Sequence, residues 1–87
     1  MNPKWCVKDV KALKGYKLLL TFERGEVKLF NMAPLLDEPI YYTLKNPGLF
    51  SQAKADECGG VMWNDEIDIA PEYLYENGVS IKTEGLR

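Results

Sequence analysis

Histidine is missing from all 87 residues, which removes the commonest general base and the commonest imidazole ligand for a transition metal. Cysteine occurs only twice, at Cys6 and Cys58. The pair could close a single bridge, but MNPKWCVKDV lacks the apolar stretch of a signal peptide, so both are expected to be reduced and to act as small hydrophobic fillers. Two cysteines so far apart make no zinc site, and no metal or cofactor is expected. Long apolar runs are lacking as well: Leu18-Leu19-Leu20 is broken at once by Thr21, against the roughly 20 residues that span a bilayer. These absences predict a cytoplasmic chain with no membrane role.

What remains suits one small folded domain. The chain is too short for two domains, and its 46% hydrophobic residues and ten aromatics (2 Trp, 5 Tyr, 3 Phe) argue against disorder. Residues 1–79 are expected to form the domain and 80–87 a C-terminal tail. The net charge of −2 hides a polarised distribution. Lys4, Lys8, Lys11, Lys14 and Lys17 face a single acid, Asp9, in the first 17 residues, whereas residues 56–76 carry seven acids and no base. Such a split fits two solvated halves, a basic face for an acidic partner, or an acidic face for a basic one.

The apolar pattern predicts an α+β fold of two layers, an antiparallel meander with two short helices. Residues 4–13 read as a strand whose broken alternation calls for a bulge or burial on both sides. After a turn at Lys14-Gly15, Tyr16, Leu18, Leu20 and Phe22 share one face of a second strand. Glu23-Arg24-Gly25 makes the hairpin into a third strand over 26–31. A single turn is expected over 32–36, an extended aromatic segment over 40–44, and a helix from Pro47 to about Gln52 with Asn46 as its N-cap. Two short strands then flank Cys58-Gly59-Gly60. The last helix begins at Pro71 and stops at Gly78. On it Ala70, Tyr73 and Leu74 are expected to be buried, and Glu72, Tyr75 and Glu76 exposed. Val79 onward reads as a short pairing segment or a frayed tail.

Few residues suggest chemistry. Gly59-Gly60 lacks the spacing of a phosphate loop and suits a hairpin turn. Asp65, Glu66 and Asp68 lack the pattern of a calcium loop, and Asp68 is placed to meet the positive end of the last helix. Trp5 and Trp63 read as core or core-edge packing. At least one residue of Tyr41-Tyr42, and Tyr75, should be exposed, where aromatics often anchor interfaces.

Four segments together resemble a known family. They are Tyr16-x-Leu-x-Leu-x-Phe-x-x-Gly25-Glu26; Phe30-Asn31-Met32-x-Pro34-Leu35-Leu36; Leu44-Lys45-Asn46-Pro47-x-x-Phe50; and Trp63-Asn-Asp-Glu-Ile-Asp68-Ile-Ala-Pro71-Glu-x-Leu74-Tyr75. In this order they look like DUF2442, a family of small bacterial domains of unknown function. The resemblance implies three strands, a helix, two strands and a helix, and supplies no catalytic residue. It also implies two settings: some members are encoded beside a short partner in what looks like a toxin–antitoxin arrangement, and some are fused to a helix-turn-helix module. Here the usual Trp-Pro-Asn-Gly turn is replaced by Trp63-Asn64-Asp65-Glu66, and the chain ends at Arg87 without the fused module.

The resulting expectation is a non-enzymatic protein-binding domain, antitoxin-like in the setting the resemblance implies. It would meet a basic protein surface through Tyr75, with Glu72 and Glu76 at the rim. The alternative is a DNA-binding or regulatory accessory domain using the lysine cluster, although a pI near 5.1 is far from the usual nucleic-acid footprint. A small enzyme using carboxylates is the weakest of the three. The oligomeric state is open, a homodimer included.

Overall fold

The structure, a computed structural model, describes residues 4–56, 59–64 and 66–81. Strand β1 (Val7–Leu13) pairs antiparallel with β2 (Lys17–Phe22), and β2 with β3 (Val27–Asn31). The bulge called for by the broken alternation of β1 lies between Val7 and Asp9, where the register shifts. Gly25 takes φ +88 in the second hairpin, a backbone state that costs a residue without Cβ almost nothing. In the first hairpin the positive φ extends to a non-glycine residue, Tyr16 (φ 60). That residue turns out of the strand, and its ring stacks edge-on to Phe50 at 5.2 Å.

Two 3₁₀ helices follow, Ala33–Asp37 and Pro39–Lys45. The second corrects the extended segment expected over 40–44. Its aromatics have strand propensity, but Pro39 fixes the first turn and Tyr41 and Leu44 stand three apart, the 3₁₀ repeat that turns both toward the core. Helix α1 (Pro47–Phe50) is shorter than expected. It carries the expected cap: the Asn46 side chain accepts from the N–H groups of Gly48 at 2.8 Å and Leu49 at 3.3 Å.

The second half builds a separate sheet of β4 (Lys54–Ala55), β5 (Val61–Asn64) and β6 (Ile67–Ile69), where one meander had been expected. The β5–β6 turn is closed by Asn64, whose side-chain oxygen accepts from Glu66 N–H at 2.8 Å and Ile67 N–H at 2.9 Å, an Asx turn. Helix α2 (Pro71–Asn77) leads to β7 (Val79–Ser80), which pairs with β3 and completes a four-stranded sheet in the order β1-β2-β3-β7. Ile81 N–H still donates to Val27 O at 3.0 Å. Pairing therefore carries the sheet past the expected boundary at residue 79.

The class is α+β, with a shortest dimension of 19 Å that leaves room for two layers about 10 Å apart. Leu18, Leu20, Phe22 and Phe30 of the large sheet meet Val61, Trp63, Ile67 and Ile69 of the small one, with Leu36, Leu44, Phe50 and Leu74 between. Trp63 is buried and donates its indole N–H to Phe50 O at 2.9 Å. Cys6 is buried, while Cys58 lies outside the described residues. Among the described residues no helix is long and apolar enough to cross a membrane.

Candidate functional site

Helix α2 is rotated from the face expected of it. Leu74 is wholly buried, but its partners in the buried stripe are Pro71, Tyr75 and Gly78, spaced i, i+3, i+4 and i+7. Tyr73, expected inside, is 43% exposed. Tyr75, expected outside, is half-buried against the core. Its ring meets Phe22 edge-on at 5.0 Å and lies under the Lys28 ammonium, 3.8 Å from the ring centre, with Lys4 at 5.6 Å on the same ring. The hydroxyl donates to Glu26 Oε1 at 2.7 Å.

Lys28 is the one buried charged side chain among the described residues, and Tyr75 explains its position. Besides lying over the ring, the Lys28 ammonium donates to the Tyr75 carbonyl oxygen, one of the carbonyls left free in the last turn of α2, where a cation also complements the helix dipole. At the other end no side chain caps α2: the N-cap is Ala70, and Asp68 sits on β6 instead of meeting the helix dipole.

The Glu26 hydrogen bond, burial and the Glu26 charge raise the Tyr75 pKa above 10.0, with Arg24 opposing. A raised phenol pKa means that folding favours the protonated form. The associated stability is complete below pH 10 and is lost as pH rises through the folded pKa. Tyr41 adds to this in the same direction, through burial first and then the charges of Asp68 and Tyr73. Urea midpoints of the wild type should fall between pH 9 and pH 11 by more than those of Tyr75→Phe, because the variant lacks the titrating group. Equal falls in the two proteins would remove the Glu26–Tyr75 bond from the account.

The surface beside Tyr73 is where large apolar groups meet solvent. A groove of about 450 Å³ runs between the 3₁₀ helices and the start of α2, over Leu35, Ile40, Tyr41, Ile69, Ala70 and Tyr73, with Glu38 on its wall. A second hollow of about 280 Å³ shares Leu35 and Tyr73 and reaches Leu29 and Val79. Ile40 and Tyr42 are more than half exposed, so the expectation of one exposed tyrosine in the Tyr41-Tyr42 pair holds. Tyr41 is half-buried and its hydroxyl donates to Asp68 O at 3.3 Å.

Among the described residues no Lys or Arg lines the groove. Glu38 is on its wall, Asp68 acts electrostatically on Tyr41, and Glu72 and Glu76 are exposed on α2. Of the seven acids in residues 56–76, Glu57 and Asp65 lie outside the described residues. Among the described residues, Asp, Glu and Cys side chains form no group of three that could hold a metal. Sequence reasoning missed the groove because it joins residues 35–41 to 69–73 across the fold, and because a helix of seven residues leaves its rotation undetermined by periodicity.

The chain belongs to the DUF2442 family, of unknown function, whose model matches residues 7–80. Among curated proteins none matches. A solved structure from Nitrosomonas europaea, named "Putative DNA Binding Protein NE0471", is similar at 26% sequence identity and a TM-score of 0.72. The similarity covers 82% of this chain and 46% of that one. The chain thus spans about half the length of that neighbour.

Proposed function

For this DUF2442 member we propose a non-enzymatic, cytoplasmic protein-binding domain that docks a basic partner on the acidic face around α2, with Tyr73 as the aromatic anchor and Glu72 and Glu76 at the rim. The observation that carries this reading is the groove beside Tyr73: apolar on its floor, acidic on its wall, and open to solvent. Tyr75 has a supporting part, since its ring, hydroxyl and carbonyl are all engaged within the domain. Antitoxin action, in which the domain covers a toxic partner's surface, is one form such binding would take.

The occupant that fits is a partner segment with a large aliphatic or aromatic side chain next to Lys or Arg. Selection from a displayed peptide library should enrich that pairing. Tyr73→Ala should weaken the selected peptide by about tenfold or more, since desolvated aromatics dominate interface energies. Glu72→Gln and Glu76→Gln should act mainly by slowing association, an effect that added salt reproduces. Binding that survives Tyr73→Ala but is lost in Tyr75→Ala would return the anchor to Tyr75.

The neighbour's name supports a second reading, an accessory domain of a DNA-binding protein. Here the contact surface would be the β1–β2 hairpin, where Lys8, Lys11, Lys14 and Lys17 are exposed. Titration of a labelled duplex separates the two readings. Salt-sensitive binding lost when those four lysines become Gln, and kept in Tyr73→Ala, would favour DNA.

A further inference from the structure

The outer face of the four-stranded sheet breaks the usual rule for a sheet facing water on one side, which pairs an apolar inner face with a polar outer one. The register gives its rows directly. Across the middle run Lys11, Leu19, Leu29 and Val79; beside them run Asp9, Thr21 and Val27, with Ile81 alongside through its bond to Val27. Leu19, Val27 and Leu29 are half-buried and are not part of the core cluster, and Val79 is 69% exposed. Among the described residues no helix covers this face: α1, α2 and the small sheet all contribute to the core cluster with the opposite face of the strands.

The charges on this face stand at its margins in a defined order. Lys17 shares its row with Leu13 and Asn31, beyond the central row. Strand alternation carries Glu23 to the same face at the opposite end, where its N–H bonds Cys6 O and continues the β1–β2 pairing. Among the described residues the one ion pair is Lys45–Asp37, so Asp9, Lys11, Lys17 and Glu23 have no salt-bridge partner among them.

We propose that this face is a self-association surface whose occupant is a second copy of the chain, related by a twofold axis lying between the two central rows and perpendicular to the strands. That axis sets Leu29 over Val27 of the second copy, Leu19 over its Thr21 and Val79 over its Ile81. It sets Lys11 over Asp9 of the second copy and Lys17 over its Glu23, and symmetry repeats each pair. An axis parallel to the strands stacks the leucines equally well, but it puts Lys11 on Val79 and Lys17 on Asn31 and pairs no charges. Complementarity therefore selects the first arrangement, two aligned sheets packed face to face.

Three rows on four strands cover roughly 19 by 20 Å, on the order of 400 Å² per copy. That is below the span of stable interfaces and in the range of weak ones, so association should be visible only at roughly micromolar to millimolar concentration. Sedimentation of the whole chain up to about 1 mM should show a monomer–dimer equilibrium. Dilution should shift amide signals of Leu19, Val27, Leu29 and Val79 while leaving those of the groove in place. The variant Lys11→Glu/Lys17→Glu, and separately Asp9→Lys/Glu23→Lys, should each self-associate at least tenfold more weakly. Mixing the two should restore wild-type association to within about threefold, because the mixed pair has opposite charges at every contact. A monomer at 1 mM, dilution shifts confined to another surface, or a mixture that stays monomeric would each overturn the proposal. The first of these, together with binding of a different protein at this face, would give the surface to that protein. The groove adjoins this face through the hollow that joins Leu35 and Tyr73 to Leu29 and Val79, and its role is read separately, from peptide binding by Tyr73→Ala.

Discussion

Replacing Leu74 with alanine should lower the unfolding free energy by about 2–4 kcal/mol, the range for a large aliphatic side chain cut back in a closed core. Leu74 is fully buried among residues from both sheets, and nothing in α2 can move in to fill the space, because its neighbours on that face are a proline, a glycine and the engaged Tyr75. An 87-residue domain has about 4–13 kcal/mol in total, so the loss takes a large share. Tyr73→Ala, one residue away on the same helix, should cost less than Tyr75→Ala, since Tyr73 keeps one edge contact with Phe30 while Tyr75 has ring, hydroxyl and backbone partners. Urea midpoints of the three variants check the order. An unchanged midpoint in Leu74→Ala, or a Tyr73→Ala variant less stable than Tyr75→Ala, would put the buried face elsewhere.

The alternation of β2 and the glycine of its hairpin were legible because the period of two persists over several residues and Gly25 meets a positive φ that few other residues accept. Asn46-Pro47 was legible as a helix start because both residues act locally: one lends its oxygen to free N–H groups, and the other has the right φ already. Errors arose where long-range contacts decide. Tyr41-Tyr42 has the composition of a strand, and the 3₁₀ turn prevails through Pro39 and through burial of Tyr41 and Leu44 on a common side. Ile67-Asp68-Ile69 alternates over only three residues, too few to announce a strand without its partner β5.

The charge around α2 was legible in the sequence, and the rotation of the helix was not. Glu72 and Glu76 are exposed on α2 as expected. The helix has only two turns, and Tyr73 and Tyr75 are both amphipathic, so either could be turned inward at similar cost from the helix itself. What decides is Lys28, whose buried ammonium requires a ring and a carbonyl above it, and Tyr75 supplies both. That requirement comes from β3, and no window of sequence around the helix contains it.

Replacing Gly60 with alanine should be at least as damaging as Leu74→Ala, at about 3 kcal/mol or more, for a reason of the opposite kind. A Cβ at this position would stand 1.8 Å from the carbonyl oxygen of Ile69 and 2.9 Å from the backbone nitrogen of Pro71. Both obstacles are main chain, so no rotamer change relieves the overlap, and the backbone of the β6–α2 junction has to shift. Gly59→Ala is the natural comparison, because its Cβ would meet the Asp56 Cβ and Oδ2 at 3.2 Å, an overlap that a shift of a few tenths of an ångström relieves. Thermal unfolding should put Gly60→Ala at least about 12 °C below the wild type and Gly59→Ala within a few degrees of it. A Gly60→Ala variant as stable as the wild type would show that β5 and the junction do not approach so closely. Because Ile69 and Ala70 line the groove, a shift that relieves the clash must also deform that surface. If the groove holds the partner, a Gly60→Ala protein kept folded at low temperature should bind the selected peptide more weakly, although position 60 itself does not line the groove.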